Sequence, residues 1–305
     1  FRLAGTDARP LARTDRHGEG FVDWLRGIHD YIQRGDMQTS ATVEVVNAAD
    51  FGAAMDTSNR RYCCECMLSA ERLVRAEVSD ALLAIEAESV VLAGTVNKLK
   101  VHAHVDQPQA LFSALGVFGK VSGEKADDMH AQASSLKHAR RARVAIVTDS
   151  AADLPDDVLE TLCIHVVPAR IQFGDFTYLD KVSLTSAEFY EKLKSSPRPQ
   201  TSQPPLGDFR RQFEYLLAHY DSVLSVNLSR ALSGTMQAAE SARARTDEQR
   251  IHIVDSFSAS VGEGLIVQRA AELAREGLSA AEIQSRLARV AAETPVYAMI
   301  RDLDY

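Results

Sequence analysis

Residues 144–148, Val-Ala-Ile-Val-Thr, form a largely β-branched run that stops abruptly at Asp149-Ser150, and helical patterns alternate with further apolar runs from there to the end of the chain. A short continuous apolar run bounded by polar residues reads as a strand buried on both faces. Alternation of such runs with helical patterns implies βαβ units and a mostly parallel sheet. Strands are expected over 143–148, 164–173, 222–227, 250–254 and 296–300, and helices over 185–193, 206–219, 235–245, 262–275 and 280–292. Two of these helices open on a capping box, Thr185 with Glu188 and Ser279 with Glu282.

Small hydroxyl residues gather in the segments between these elements: Asp149-Ser150, Thr201-Ser202-Gln203-Pro204, Leu232-Ser233-Gly234-Thr235 and Asp255-Ser256. In an open α/β sheet, ligands bind among the loops at the carboxyl ends of the strands. Hydroxyls and backbone N–H groups at helix starts suit a small anionic head group. Ser233 and Gly234 directly precede a predicted helix, and Gly234 has no Cβ to block close approach. Ser233 also fits a plain N-cap. Asp149 and Asp255 read as strand-end carboxylates that shape loops. A dinucleotide fingerprint is a weaker reading, because Gly262-Glu263-Gly264 lacks the third glycine and follows its strand at too great a distance.

The first half is organised differently. Residues 1–20 are polar and rich in Gly and Arg, 21–32 carry helical spacing, and 47–59 read as a polar linker. A strand over 62–68, a helix over 71–85, a hairpin over 89–94 and 101–105, and a helix over 108–118 follow. Asp106 sits where an N-cap belongs, and Pro108 falls in the first turn. This order suggests a small antiparallel sheet with helices on one face. Residues 132–143 are polar, basic and unpatterned, which marks a boundary. The expected organisation is a lead-in helix and linker over 1–60, a small α+β domain over 61–132 and an α/β lobe over 143–305. The chain begins without Met and ends just after an expected strand, so a fragment of a longer protein is expected.

Composition narrows the partners. With 305 residues, 46% hydrophobic and 25% charged, the chain is of ordinary globular type. Its net charge of −8 and lack of an extended basic run argue against nucleic acid. No apolar stretch approaches the roughly 20 residues of a membrane span. Three of the four cysteines crowd into Cys63-Cys64-Glu65-Cys66, which is no disulfide framework, so reduced thiols and a cytoplasmic location are expected.

Lys100-Val101-His102-Ala103-His104-Val105 carries the strongest metal signal. On a strand, His102 and His104 share one face while Val101, Ala103 and Val105 take the other. A thiolate from the strand over 62–68 would add a third ligand. Cys63 lies on the opposite face from Cys64 and Cys66, so one set at most joins the histidines, and spacing does not choose between them. An exposed polar face with two ordinary histidines is the competing reading. Three ligands with an open fourth position would also suit a zinc-dependent hydrolase, with Glu65 as general base.

Two resemblances sharpen this picture. Asp149-Ser150 with Asp153-Leu154-Pro155, Phe173-Gly174-Asp175 with Tyr178 and Asp180, Thr201-Ser202-Gln203-Pro204, and Leu232-Ser233-Gly234-Thr235 fall in the order that resembles the DegV family of fatty-acid-binding proteins. The resemblance implies a long-chain fatty acid as bound ligand, its carboxylate held by Thr201 and Ser233 with Ser202 and Gly234 alongside. Arg61-Tyr62-Cys63-Cys64-Glu65, Ser89-Val90-Val91, Lys100 to Val105, and Asp128-Met129 with Gln132 resemble the middle domain of the bacterial fatty-acid kinase, a relative of the dihydroxyacetone kinases. That resemblance implies zinc held by Cys63, His102 and His104. Cys64 and Cys66 depart from the family pattern. Together the resemblances imply a kinase-carrier fusion that presents an acyl carboxylate to an upstream ATP-binding kinase domain for acyl-phosphate formation. On this reading the chain itself binds, with no catalytic residue of its own, and the second half is a truncated first lobe. Ile171, Phe173, Phe176, Phe189 and Tyr190 are candidate tunnel lining, with ordinary core as the simpler reading. Acyl-chain length and oligomeric state are not written in the residues; a homodimer is the self-assembly considered.

Overall fold

In the computed structural model, residues 59–139, 142–196 and 198–297 are described, and the expected helix over 21–32 lies outside them. The first part holds β1 (Tyr62–Ser69), β2 (Glu88–Thr95), β3 (Lys98–Val105) and β4 (Lys120–Asp128), which form an antiparallel sheet of order β2-β3-β1-β4. Helices α1 (Arg75–Ala84) and α2 (Pro108–Gly116) pack on one face, burying Val78, Leu82, Leu111 and Leu115 against Cys64, Cys66, Leu68, Val101 and Ala103. Strand β4 is not among the expected elements. Its sequence is mostly polar with Gly123 in left-handed backbone, and pairing with β1 rather than propensity makes it a strand. Gln107, not Asp106, is the N-cap of α2; the Asp106 carboxylate accepts instead from Arg60 at 2.7 Å and from the Arg61 backbone at 3.0 Å.

The expected unpatterned boundary over 132–143 is corrected, because most of it is helix α3 (Met129–His138). Asp128 caps it, accepting from the Ala131 N–H at 2.8 Å. The helix is polar in composition yet firmly held. The Ser135 hydroxyl lies 2.8 Å from His165 Nε2, and Tyr215 and Tyr220 donate to the carbonyls of Gln132 and Ser135 at 3.0 and 3.1 Å. The described residues from 59 onward accordingly pack as one compact unit in which α3 joins the two parts.

The second part opens with β5 (Val144–Asp149), helix α4 (Asp156–Leu162) and β6 (Ile164–Val167), the two strands lying side by side. The single strand expected over 164–173 is broken at Pro168, and β7 (Arg170–Phe173) leaves for a separate antiparallel sheet. Proline lacks the N–H that a ladder needs. In that second sheet β7 lies between β8 (Phe176–Leu179) and β9 (Gln200–Ser202), with α5 (Ser186–Ser195) between them in sequence. Then come α6 (Leu206–Leu217), β10 (Ser222–Asn227), α7 (Thr235–Arg243), β11 (Ile251–Asp255), α8 (Ser260–Arg275) and α9 (Ala280–Ala292). The central sheet is fully parallel, of order β11-β10-β5-β6. Both expected capping boxes are present. No strand forms at 296–297, where Val296 and Tyr297 are exposed, and 298–300 lie outside the described residues.

Alternate residues of the central strands feed two cores. Val144, Ile146, Leu224 and Val226 pack with α8 and α9, whereas Ala145, Val147, Val223 and Ile253 pack with Phe209, Phe213 and Ala239 of α6 and α7. Cover on both faces explains why β5 is apolar at successive positions rather than alternate ones. Each fully buried large side chain contributes roughly 1.5–3 kcal/mol.

His165 faces α3 from the edge strand. Burial holds its pKa down to about 4, with the nearby His138 acting the same way. The ordinary value is 6.5, so the unfolded chain takes up this proton first. Stability from the neutral ring is complete above pH 6.5 and declines as pH falls toward 4, by about 3 kcal/mol in total. His165→Gln, which does not titrate, is expected to lose that part of the wild-type pH dependence in urea denaturation. Parallel pH profiles for the two proteins would show that His165 is not buried neutral.

Candidate functional site

Strand order places β6 on one side of β5 and β10 on the other, so the chain reverses its direction of winding between β5 and β10. The carboxyl ends flanking such a switch point form a crevice. Buried polar side chains collect here: Thr148, Asp149 and Ser150 at the end of β5, Ser225, Asn227 and Ser229 at β10, and Ser256 and Ser258 at β11. Asp149 ties two loops together. Its Oδ1 accepts from the Ala151 N–H at 3.1 Å, while Oδ2 accepts from the Leu228 N–H at 2.9 Å and Asn227 Nδ2 at 3.3 Å. Asp255 accepts from the Phe257 N–H at 2.8 Å. Both carboxylates therefore shape loops, as their positions at strand ends suggest.

The loop after β10 carries Ser233 and Gly234, both half-buried. Ser233 Oγ accepts from the Thr235 N–H at 3.2 Å and lies 2.9 Å from Thr235 Oγ1. Gly234 is the N-cap of α7 and supplies no side-chain acceptor, so the first turn of the helix keeps donors for an incoming anion. A Cβ on Gly234 would stand 2.1 Å from the Gln203 side-chain oxygen. That contact brings the Thr201-Ser202-Gln203-Pro204 segment against the Ser-Gly-Thr loop. Thr201 and Ser202 themselves are exposed and lie in β9, with Thr201 paired to Ile171, rather than in a loop.

The crevice rim is apolar and strained. Leu232, Phe257, Val261 and Leu265 are all more than half exposed. Asp153, Lys181, Phe257 and Ser260 adopt left-handed backbone. Three of these four are joined: Lys181 pairs with one oxygen of Asp153, and Ser260 Oγ donates to the other at 2.7 Å. Non-glycine residues hold such backbone only where their surroundings impose it, commonly at binding sites. A cleft of about 440 Å³ opens nearby, between β4 with α3 and the ends of β5 and β6. Ion pairs line it, including Arg61 with Asp128, Lys125 with Asp127, and Arg170 with Asp208, so it suits water better than an acyl tail. Ile171, Phe173 and Phe189 instead form the small core under β7 and β8, while Phe176 and Tyr190 are exposed.

On the first sheet, the register sets Cys63 opposite His104 and Glu65 opposite His102, on the face away from α1 and α2. Cys64 and Cys66 lie in the apolar core instead, and burial raises both thiols, Cys66 to about 12. Ligand atoms of Cys63, His102 and His104 all lie within 4.8 Å of one another, with Cys63 Sγ 4.0 Å from His102 Nδ1. Sulfur and nitrogen ligands of a tetrahedral zinc stand roughly 3.5 Å apart, so a small adjustment would close the set. His104 is fully buried, and neither ring nitrogen has a hydrogen-bond partner. That is a costly arrangement for an ordinary core histidine, and an exposed polar face does not describe it. These residues fit zinc. Glu65, held by Lys100 at 3.1 Å and lying 3.5 Å from His102, is already engaged and makes a poor general base.

An open parallel α/β lobe with donor loops at its switch point, preceded by an antiparallel sheet bearing a thiol–imidazole cluster, is the type of protein these features define. The chain belongs to the DegV family: the family model described as "Uncharacterised protein, DegV family" matches residues 143–305. Residues 59–136 match the family model for the middle domain of fatty-acid-kinase-like proteins. A DegV domain-containing protein of Caldanaerobacter subterraneus subsp. tengcongensis is 40% identical over 143 residues, 47% of this chain and 51% of that one. Protein DegV of Bacillus subtilis is 35% identical over 162 residues, 52% of this chain and 58% of its own. A solved DegV family protein from Thermus thermophilus, described for its fatty acid binding, is 38% identical, with a TM-score of 0.46 over 49% of this chain and 54% of that chain. The chain thus spans about half the length of the curated relatives it matches. Among the described residues, no helix is long and apolar enough to cross a membrane.

Proposed function

We propose that the chain binds a long-chain fatty acid at the β5/β10 switch point and presents its carboxylate for phosphorylation by an ATP-binding kinase domain. The observation that carries this reading is the convergence of two hydroxyl segments at the Gln203–Gly234 contact, in front of a helix whose N-cap, Gly234, has no side chain to occupy the first-turn donors. Thr201, Ser202, Ser233 and Gly234 would hold the carboxylate, and Leu232, Phe257, Val261 and Leu265 offer the neighbouring apolar surface for the tail. Zinc on Cys63, His102 and His104 would cross-link β1 to β3 and fix the sheet that carries α3. DegV family membership and the kinase-like match over 59–136 support the pairing of carrier and kinase. Mass spectrometry of the purified protein should find bound fatty acid, and titration should favour a fatty acid over its methyl ester by at least tenfold, since the ester has lost its charge-assisted hydrogen bonds. Equal affinity for acid and ester would overturn the carboxylate site.

A further inference from the structure

Behind the crevice lies a side chain that neither donor loop requires. Glu263, in the first turn of α8, is fully buried, and Asp149 is 2% exposed. Thr148 Oγ1 donates to Glu263 Oε1 at 3.3 Å, no N–H or hydroxyl donor reaches Glu263 Oε2, and the Glu263 carboxyl lies within hydrogen-bonding reach of Asp149. Helix α8 approaches this closely because Gly264 has no side chain; a Cβ there would stand 2.3 Å from the Ala152 carbonyl.

We propose that Asp149 and Glu263 form one proton-sharing pair with a single negative charge, Glu263 keeping its proton, and that this pair sets the charge an anion meets in the crevice. The second half of the proposal rests on the carboxylate-binding reading above. Two buried carboxyl groups side by side do not both ionise unless a cation intervenes. The groups facing them supply none. Thr148, Ser150 and Asn227 are neutral, Asp153 and Asp180 are acids, and Lys181 is committed to Asp153 and to the Ser150 carbonyl at 2.7 Å. The two acids divide the roles by their partners. Burial raises both acids, but Asp149 accepts from three N–H groups, which offset part of that rise by stabilising an anion, while Glu263 accepts from one hydroxyl. The proton therefore stays on Glu263. Burial first, and the Asp149 charge second, push Glu263 up to about 10. Its folded value is raised, so the stability it permits is complete below its ordinary 4.5 and is lost as pH climbs toward 10.

The test compares the wild-type chain with Glu263→Gln, an uncharged residue of the same shape. Difference infrared spectroscopy should show a protonated-carboxyl band in the wild type near pH 7 that disappears in the variant. The variant should melt no lower than wild type at that pH, and its advantage should widen as pH rises. In oleate titrations, wild-type affinity should fall on the order of tenfold more than the variant's between about pH 7 and about pH 10.5, the effect of one added buried charge. Absence of the band, or a variant that melts well below wild type at every pH, would overturn the proton-sharing pair. Identical oleate profiles in the two proteins would overturn its charge-setting role. No oleate binding by either protein would sink the carboxylate reading and the charge-setting role together, while the infrared and melting results would still decide the pair.

Discussion

Purified protein in which His102 and His104 are both replaced by alanine is expected to contain no zinc, against about one zinc per chain in the wild type. The wild-type geometry already sets the sulfur and the two imidazoles within reach of one tetrahedral ion, and His104 is buried with neither nitrogen satisfied. Burial, and then the neighbouring His102, lower the His104 pKa, so this ring is kept neutral and its lone pair is available to a metal. One remaining thiolate gives too few ligands for tight binding. Cys64→Ala and Cys66→Ala, whose sulfurs lie in the opposite apolar core, should leave the zinc in place. Elemental analysis decides the matter: full zinc in the double histidine variant, or its loss in the Cys64 variant, would sink the assignment.

Ser233→Ala should weaken fatty-acid binding by tenfold to a hundredfold. A hydrogen bond to a charged acceptor contributes roughly 1.5–3 kcal/mol, which corresponds to that range. Ser233 Oγ accepts a hydrogen bond from the Thr235 N–H, and with Thr235 Oγ1, 2.9 Å away, as the donor between the two hydroxyls, the Ser233 hydrogen can point at a carboxylate. The substitution also releases the Thr235 N–H to the ligand, which offsets part of the loss and moves the expected effect toward the lower end of the range. Isothermal titration with a fatty acid, with melting temperature as a control for the loop, tests this. An unchanged dissociation constant in a variant that melts like wild type would remove Ser233 from the site.

Much of this architecture was legible because strand burial and helix caps leave local marks. The β5 run, the Thr185 and Ser279 boxes and the same-face pair His102 and His104 all appear where the residues place them. What was not legible is what partners decide. Lys120–Asp128 has little strand character of its own and becomes β4 only by pairing with β1. Helix α3 hides in polar composition, although Asp128 was a readable cap. Pro168 could have warned that the apolar run over 164–173 was two strands. Glu263 gave no sign at all, since an acid in a first helical turn normally complements the helix dipole at the surface. Only its burial beneath Thr148, with Asp149 close by, sets it apart.

The docked helix α3 has a further consequence. A flexible tether would let the antiparallel sheet and the parallel α/β lobe sample many orientations, and its length could vary at little cost. A helix gripped at Asp128, Gln132 and Ser135 instead fixes phase. One residue added within it turns everything beyond by about 100° and advances it by about 1.5 Å. The spacing between Cys63 and the crevice thus behaves less like the length of a cord than like the tooth count of a gear.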